Sequence, residues 1–451
     1  MPVKETDPQP PSSTPPPVVG SLKAANLFFD LMDEDDRQAI AQAAQELLGD
    51  RESLRQVWPG AYDGRLRKGM SLDLSGVELV VVHLDRIGAP AGASGAQVFA
   101  AYFQHRPQSP ATCEFLPSPP LIIKLGTAEE IEAEHDFIGK WPSLPDDVSP
   151  RFALPIAYSG PPERSVLWSP FRSEYRPDPS GHGQRIGLID LWKPLNSPMT
   201  DGAADGFADG RIARLVRGTL DLMSVVHRRN QASLRREKAT YHDLYQRYLR
   251  KAAREGDLRW GMISSLFGSE ESIRRFGREW PNPAVVLSKI LDAESEFQGV
   301  CGPVHGDLHP KNIVLGRDDT VHIIDFGWSH HNRHVVVDYL LLDLNLRAIT
   351  LPSHIPEADV LALAGFLKPE DDPKSLPASV ASRAAVIRDT IWERALNGEK
   401  IVENWRKEYL IPYFLVAYGL LVYLDAARNQ DALIATVLAA AKEIEDTWDG
   451  T

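Results

Sequence analysis

Apolar residues recur with two different periods along the chain, and the change of period divides it into two parts. In the first part they form short runs between turn-forming residues, a pattern that predicts five β-strands in one sheet. In the second part they recur at helical spacing and predict a mainly helical region. The predicted strands lie at 77–84, 98–103, 121–125, 152–158 and 166–168, and the predicted helices lie at 211–227, 335–346 and within 356–447.

The first 70 residues differ from the rest in composition and pattern. Residues 1–20 are rich in proline and contain few apolar side chains, so we predict a disordered or extended tail. Residues 21–70 are predicted to be helical, with apolar residues at helical spacing from Leu22 to Leu31 and a second helix that starts at Asp33. These helices either cap the sheet or form a separate module that binds a protein partner.

The densest group of candidate catalytic residues lies in the stretch Val304–Trp328. Two short apolar runs flank the polar turn at 316–319 and predict a β-hairpin. Such a hairpin holds Asp307 and Asn312 near one end and Asp325 just past the other, so three oxygen-bearing side chains face one small volume. Phosphoryl transfer needs oxygen ligands for Mg²⁺ and a carboxylate that orients the attacking hydroxyl, and these three residues supply that set.

Two motifs carry a resemblance to a known superfamily: His305-Gly306-Asp307 with Asn312 five residues later, and Ile324-Asp325-Phe326-Gly327. They resemble the catalytic and metal loops of the aminoglycoside phosphotransferase and choline kinase superfamily, which shares the protein-kinase-like fold. The resemblance implies that Asp307 is the catalytic base and that Asn312 and Asp325 bind Mg²⁺. It also implies that ATP or GTP donates the phosphate.

The resemblance further implies an α+β fold class with a bilobal protein-kinase-like architecture. An N-terminal antiparallel sheet lobe, residues 71–168, is expected to bind the nucleotide, and a larger helical C-lobe, residues 169–451, is expected to carry the catalytic loop at 304–328. The helices of residues 21–70 are an addition to this fold. The charged region at about 228–300 is predicted to be a helical insertion that builds a wall of the acceptor site.

A glycine-rich turn separates the first two predicted strands. Kinases cover the nucleotide phosphates with backbone N–H groups from a turn in this position. Its spacing differs from the Gly-x-Gly-x-x-Gly pattern of protein kinases, so the turn is placed by its position between the strands. We select Gly92, Ser94 and Gly95 as the residues that contact phosphate.

A lysine, Lys124, interrupts the apolar run of the third predicted strand. Burying an ammonium without an anionic partner is unfavourable, so a carboxylate or phosphate is expected nearby. At the edge of a sheet, the same lysine would instead face water. In the superfamily that the chain resembles, such a lysine holds the nucleotide phosphates and pairs with a glutamate of the following helix, which favours Glu134, with Glu130 as the alternative.

A polar segment and a helix follow the metal loop. His330, His331 and His334 lie close together in that segment, without the helical spacing of zinc sites, so we predict a polar loop and no metal site there. Asp338 lies at the start of the predicted helix. It either anchors the catalytic loop, faces the substrate or serves only as a helix-start carboxylate.

Net charge and cysteine content narrow the class of protein. The formal net charge of −13 and the pI of about 5.5 argue against a nucleic-acid-binding surface and suit a cationic substrate. Two cysteines are too few for a disulfide framework. The first 20 residues lack an apolar signal sequence, and the apolar stretch at 410–424 is shorter than a membrane span, so we expect a cytoplasmic protein with a buried helix there.

Three features favour a small-molecule kinase over a protein kinase. Gly306 stands where many protein kinases carry an arginine that reads a phosphorylated activation loop, twelve residues separate Asp325 from Asp338, and an Ala-Pro-Glu motif does not follow. We therefore predict phosphate transfer to a hydroxyl or amine of a small molecule. The alternatives are a kinase of the same fold that modifies proteins, and a catalytically inactive kinase-like regulatory or scaffold protein.

Overall fold

Six strands of the described residues form one sheet in the order β1-β2-β3-β4-β6-β5. The computed structural model describes residues 23–24, 33–61, 77–82, 97–105, 118–138, 141, 143–160, 163–170, 189–191, 195, 207, 210–229, 235–253, 263, 265–292, 296–316 and 318–447. Neighbouring strands are antiparallel, except that β1 runs parallel to β2. The strands are β1 (Lys23–Ala24), β2 (Val77–Val82), β3 (Gln97–His105), β4 (Leu121–Gly126), β5 (Ala157–Ser159) and β6 (Ser165–Pro170).

Two predictions for this lobe are wrong in detail. Residues 23–24, predicted to be helical, form a short strand whose backbone pairs with Glu78 and Leu79 of β2. The run predicted as a strand at 152–158 is extended in the sheet only from Ala157, and Phe152 instead bridges to Ile323 of the second lobe. In both places the structure depends on which distant backbone groups are available for hydrogen bonding. The apolar pattern of a single segment does not show these partners.

The N-terminal helices α1 (Glu34–Gly49) and α2 (Arg51–Val57) share one hydrophobic core with the sheet. The Trp58 ring stacks on Phe103 with 6.0 Å between ring centroids. The buried Asp36 of α1 lies 2.9 Å from Nε of Arg164 and accepts a hydrogen bond from Gln97. The described helices α1 and α2 therefore pack on the sheet as a cap, and binding of a protein partner by this region stays a prediction.

Helices make up most of the second lobe, as the spacing of apolar residues predicts. The helix after the metal loop, predicted at 335–346, begins at Val336 and continues through a π-helical turn at Asn345–Ile349. Among the described residues, the α-helices after the cap are α3 (Ala128–Ile138), α4 (Arg211–Arg229), α5 (Tyr241–Ala253), α6 (Pro283–Asp292), α7 (Val336–Leu344), α8 (Glu357–Ala364), α9 (Ala378–Val386), α10 (Ile411–Leu420) and α11 (Gln430–Asp446). Of these, α3 belongs to the sheet lobe.

A three-stranded antiparallel sheet of the described residues corrects two predictions. Its centre is β11 (Glu296–Val304), and its edges are β8 (Arg235–Thr240) and β14 (His330–His334). The insertion was predicted to be helical and the histidine segment to be a loop. Neither edge strand alternates apolar and polar residues. Each is extended because its backbone forms hydrogen bonds with β11. The insertion also contains a hairpin, β9 (Ser272–Arg275) and β10 (Arg278–Pro281), besides α5 and α6.

The predicted hairpin near the candidate catalytic residues is confirmed. Strands β12 (Ile313–Leu315) and β13 (Val321–Ile323) pair antiparallel, with Ile313 opposite Ile323. A short strand, β7 (Ile189–Asp190), pairs with the other side of β12. The apolar side chains of the hairpin are buried, so the loops at its open end are held on a rigid base.

The apolar stretch near the end of the chain is a buried helical run. Residues Trp405–Ala426 form 22 consecutive helical residues that are long and apolar enough to cross a membrane, but 78% of the most apolar window is buried inside the protein. It passes from a π-helical turn into α10 and then into a 3₁₀ turn, and α10 packs against α5 and α11. The prediction of a buried core helix at 410–424 is confirmed by this packing.

Candidate active site

Lys124 lies in the interior of the sheet lobe and contacts two carboxylates. Its strand, β4, is hydrogen-bonded to β3 and β6 on either side, so the edge-strand alternative is wrong. The Lys124 Nζ atom lies 2.7 Å from Glu134 Oε2 and 2.7 Å from Asp325 Oδ1. Burial opposes the charged form of Lys124, but the two carboxylates outweigh it and raise the lysine pKa above its usual value.

Glu134 joins α3 of the sheet lobe to the metal loop of the second lobe. Besides its contact with Lys124, its Oε1 atom accepts a hydrogen bond of 2.9 Å from the backbone N–H of Phe326. The alternative partner, Glu130, is exposed and lies beside Thr127. Burial raises the pKa of Glu134. The Lys124 ammonium lowers this pKa but offsets only part of the effect of burial, and the Asp325 carboxylate raises it further. The structure thus brings Lys124, Glu134 and Asp325 together across both lobes.

Asp325 adopts an uncommon backbone conformation that points it into this cluster. Its φ of 61° lies in the left-handed region, which is disfavoured for residues other than glycine and is often found at functional sites. Burial alone would raise the pKa of the Asp325 carboxyl group, but Lys124 lowers it below its usual value. At Gly327, a Cβ atom would lie 3.2 Å from Glu134 Oε2 and 3.2 Å from Lys124 Nζ, so a larger residue would crowd the ion cluster.

Asp307 and Asn312 are held in one tight turn of the catalytic loop. The Asn312 side-chain amide donates to the Asp307 backbone carbonyl at 2.9 Å, and the His309 N–H donates to the same carbonyl at 2.8 Å. The Asp307 side chain is 33% exposed, so a substrate can reach it. Partial burial, and then the negative charge of Asp325, raise the pKa of Asp307 well above its usual value. The positive charges of Lys124 and Arg247 act in the opposite direction.

The buried Asp338 anchors the catalytic loop from below. Its two carboxylate oxygens accept hydrogen bonds from the backbone N–H groups of His305, at 3.0 Å, and Gly306, at 2.8 Å. A third partner is the buried His227, whose Nε2 lies 3.4 Å from Asp338 Oδ2. Burial lowers the pKa of His227, but its bonds to Asp338 and Glu399 raise it overall. Among the three roles considered for Asp338, the structure shows loop anchoring.

Gly306 is required by the path of the loop. Its φ is 77°, and a Cβ atom at this position would overlap with the carbonyl oxygen of Trp328. The residue that stands where many protein kinases carry an arginine is therefore fixed by close packing against the chain after the metal loop. An arginine in this position would require both loops to move apart.

Helix α5 of the insertion contributes two contacts that sequence reasoning missed. The Tyr248 hydroxyl donates to the Gly306 carbonyl at 2.6 Å, and the Arg247 guanidinium donates to the carbonyls of Gly327, at 3.1 Å, and Trp328, at 3.2 Å. The Arg247 guanidinium also lies 4.1 Å above the Trp328 ring. The sequence pattern placed Tyr248 among the apolar residues of the helix. The one hint of its contact with the catalytic loop was the polar hydroxyl group beside Arg247.

The donor set fits a divalent cation. The carboxylates of Glu134 and Asp325 share the single ammonium of Lys124, so this cluster has one more negative than positive charge. The described residues contain no group of three or more His, Cys, Asp and Glu side chains arranged for a metal. Mg²⁺ in kinases takes only one or two protein ligands beside substrate phosphates, and Asn312 with Asp325 matches that requirement. Gly92, Ser94 and Gly95 lie outside the described residues.

Comparisons with known proteins give one family match and several structural matches. The model of the family described as ternary complex associated domain 9 matches residues 214–421. An aminoglycoside-3'-phosphotransferase of type VIII is 16% identical over 80% of this chain and 97% of that chain, with a TM-score of 0.35. A glucosamine kinase is 16% identical over 82% of this chain and 80% of that chain, with a TM-score of 0.34.

A Plasmodium vivax ethanolamine kinase is 11% identical over 88% of both chains, with a TM-score of 0.32. No curated protein matches the sequence. These TM-scores are too low to assign the fold of this chain. The fold follows from its own topology. A sheet lobe carries Lys124 on a strand and Glu134 on the helix that pairs with it, and a helical lobe carries the β-hairpin that leads into Asp325. The protein has an α+β, bilobal, kinase-like fold.

Proposed function

We propose that the protein is a phosphotransferase that moves the γ-phosphate of ATP or GTP to a hydroxyl or amine of a small molecule. The observation that carries this proposal is the contact of Lys124 with both Glu134 and Asp325. The charges of Asp325 and Lys124 also act on the Asp307 carboxyl group, so Asp307 lies near this cluster. Phosphoryl transfer in kinases requires the lysine–glutamate ion pair and an aspartate of the metal loop that binds Mg²⁺. The lysine–glutamate pair here, with Asp325 beside it, supports the proposal.

Each residue of the cluster has a defined part in the proposed reaction. The Asp307 carboxylate accepts a hydrogen bond from the acceptor hydroxyl, orients its oxygen toward the γ-phosphorus and takes its proton as the new O–P bond forms. The bond from the γ-phosphorus to the β–γ bridging oxygen breaks in the same step, and ADP or GDP leaves. The Lys124 ammonium neutralises negative charge on the phosphate oxygens. Asn312 and Asp325 would hold Mg²⁺, which supplies further positive charge to the phosphates when bound.

The segment after Asp325 supports a small-molecule acceptor. In protein kinases a long activation segment begins at this point and forms part of the surface on which the protein substrate binds. Here the chain turns directly into β14, which pairs with β11 at Cys301, Gly302 and Val304. The path from the metal loop to Asp338 is therefore short and fixed, which argues for a site that is complete without a phosphorylation step.

A transfer assay tests the proposed function. Purified protein with Mg²⁺ and labelled ATP or GTP should bind nucleotide saturably and label one or more compounds in a panel of amino alcohols, aminoglycosides and sugars. Label that appears only on proteins of a cell lysate would favour the protein-modifying alternative. Absence of nucleotide binding would refute the proposal and favour the inactive scaffold.

We expect Asp325→Asn to weaken binding of the Mg²⁺–nucleotide complex. The substitution removes the negative charge that would face the metal. It also removes one of the two carboxylates that contact Lys124 in the described part of the chain, which leaves Glu134. The expected loss is about 10- to 100-fold in the dissociation constant of the complex, measured by titration calorimetry with and without Mg²⁺. Metal-dependent binding equal to that of the unmodified protein would exclude Asp325 as a metal ligand.

A further inference from the structure

The two backbone carbonyls that flank the Asp307 Cα atom are each held by a side chain. On one side, the Tyr248 hydroxyl of α5 donates to the Gly306 carbonyl at 2.6 Å. On the other side, the Asn312 amide donates to the carbonyl of Asp307 itself at 2.9 Å. Each carbonyl lies in a rigid peptide plane, one before and one after this Cα atom, so the two bonds restrict the backbone dihedral angles of Asp307. They thereby restrict the direction in which its side chain leaves the backbone.

The peptide between Gly306 and Asp307 follows a glycine and needs a contact of its own. Glycine populates both signs of φ with similar ease, so the φ of 77° at Gly306 is one of several conformations open to it. The bonds of Asp338 go to the N–H groups of His305 and Gly306, which both precede this peptide. The Asp307 N–H makes a longer bond of 3.3 Å to His305 Nδ1. The short bond from Tyr248 is therefore the contact that best opposes rotation of this peptide.

Helix α5, which carries Tyr248, is held in place by the helical run around α10. Gly419 of α10 lies against it, and a Cβ atom at that position would overlap with the backbone carbonyl oxygen of Tyr248. In the first turn of α5, the Tyr241 hydroxyl donates to the carbonyl of Lys407, just before α10, at 2.8 Å. The Tyr248 hydroxyl is thus presented from a backbone that is itself fixed to the core of the second lobe.

The Tyr248 hydroxyl remains a hydrogen-bond donor at neutral pH. Its partial burial, and then the negative charges of Asp338 and Asp307, raise the pKa of Tyr248 above its usual value. A phenol that keeps its proton can donate to a carbonyl, which a phenolate cannot do. The effect of Asp307 on this pKa also shows that the hydroxyl lies near the catalytic carboxylate.

We infer that Tyr248 is a positioning residue for phosphotransfer, because its hydroxyl holds the peptide before Asp307 in the orientation that directs the catalytic carboxylate toward the acceptor. The inference rests on the proposed function for the reaction itself. The insertion that carries α5 then aligns the base, in addition to the acceptor wall that the sequence predicts. Tyr248 acts through Asp307 and does not itself exchange a proton with the substrate.

Tyr248→Phe tests this role, since it removes the hydroxyl and keeps the ring. We expect kcat to fall about tenfold or more, because a displacement of about 1 Å at a reacting group can reduce a rate by about 10²-fold. Affinity for the Mg²⁺–nucleotide complex should change by less than about twofold, because an interaction that matters only in the transition state does not contribute to ground-state binding.

Tyr241→Phe is the matched control on the same helix. It also removes a tyrosine hydroxyl that donates to a backbone carbonyl, but that carbonyl belongs to Lys407 and not to the catalytic loop. Urea denaturation should show a similar small loss of stability in both variants, whereas transfer should fall only in Tyr248→Phe. Unchanged transfer in Tyr248→Phe, or an equal fall in both variants, overturns the inference.

Combination with Asp307→Asn separates a positioning role from other effects on turnover. A residue that acts only through the base has nothing further to lose once the base is gone, because the effects of residues that act as a unit are not additive. The double variant should therefore transfer phosphate at the rate of Asp307→Asn alone, within about twofold. Losses that multiply would show that Tyr248 acts on another step and would overturn the inference.

Hydrogen exchange separates failure of the inference from failure of the proposed function. Mass spectrometry of fragments that cover residues 304–312 should show faster exchange in Tyr248→Phe than in the unmodified protein and in Tyr241→Phe, because the loop opens more often. Faster exchange confined to Tyr248→Phe supports the anchoring even in a protein that transfers no phosphate. Unchanged exchange at 304–312 overturns the anchoring and leaves the kinase proposal standing.

Discussion

Replacing Asp307 by asparagine should reduce phosphotransfer by about 10²- to 10⁴-fold, the usual contribution of a positioned general base. Asparagine keeps the size of the side chain but cannot take the acceptor proton. The loop should keep its shape, because the bonds that Asn312 and His309 donate to the backbone carbonyl of Asp307 do not depend on its side chain. The Oδ1 atom of an asparagine can also still accept the side-chain bond from Asn312. Nucleotide affinity should therefore stay near that of the unmodified protein.

The measurement compares initial transfer rates with nucleotide affinity from equilibrium titration, on the same protein samples. Asp146→Asn is a suitable control, because it makes the same chemical change at an exposed aspartate in a loop of the sheet lobe. Transfer that continues at the original rate in Asp307→Asn would exclude this residue as the base. A matching fall in nucleotide affinity would instead indicate a structural role in the site.

Asp338→Ala should lower both the stability of the protein and its turnover. The substitution leaves the N–H groups of His305 and Gly306 without an acceptor in the protein interior. Each such unpaired group costs about 1–3 kcal/mol of the free energy of unfolding. The catalytic loop should also lose its fixed position, and a displacement of about 1 Å at a reacting group can reduce a rate by about 10²-fold.

Urea denaturation gives the change in stability, and steady-state kinetics give the change in turnover under conditions in which the variant remains folded. Asp431→Ala provides the comparison, because Asp431 also lies in the first turn of a helix but is exposed. Its loss should change stability by less than about 1 kcal/mol. Normal turnover in folded Asp338→Ala would show that the carboxylate serves stability alone.

The sequence identifies those parts of the site that depend on local order. The hairpin between Asn312 and Asp325 is predictable because both strands and the turn lie within one short stretch. Lys124 is noticeable because a cation in an apolar strand needs a partner, and the structure supplies two. Choosing Glu134 over Glu130 needed the resemblance, since both stand on the same helix with similar neighbours.

Contacts between distant backbone groups could not be predicted in the same way. Strands β8 and β14 consist mainly of charged residues and histidines, and only their pairing with β11 makes them strands. The contacts of Tyr248 and Asp338 go to backbone atoms of the catalytic loop, which any residue type offers. The sequence therefore offered no pattern that identifies the contact of Tyr248, and it left loop anchoring by Asp338 as one of three possible roles.

Net charge bears only weakly on the identity of the acceptor. A net charge of −13 describes the average surface of the protein. Substrate attraction depends on the electrostatic field at the site, where close charges outweigh distant ones that solvent and salt screen. The cationic acceptor suggested by the composition therefore stays a prediction.

The strand at His330–His334 fixes the chain that follows the metal loop, and Gly306 leaves no space between the two loops for an inserted side chain. Both features make the shape of the site part of the packing of the second lobe. Under the proposed function, the site forms together with the fold and needs no phosphorylated loop to hold it in position.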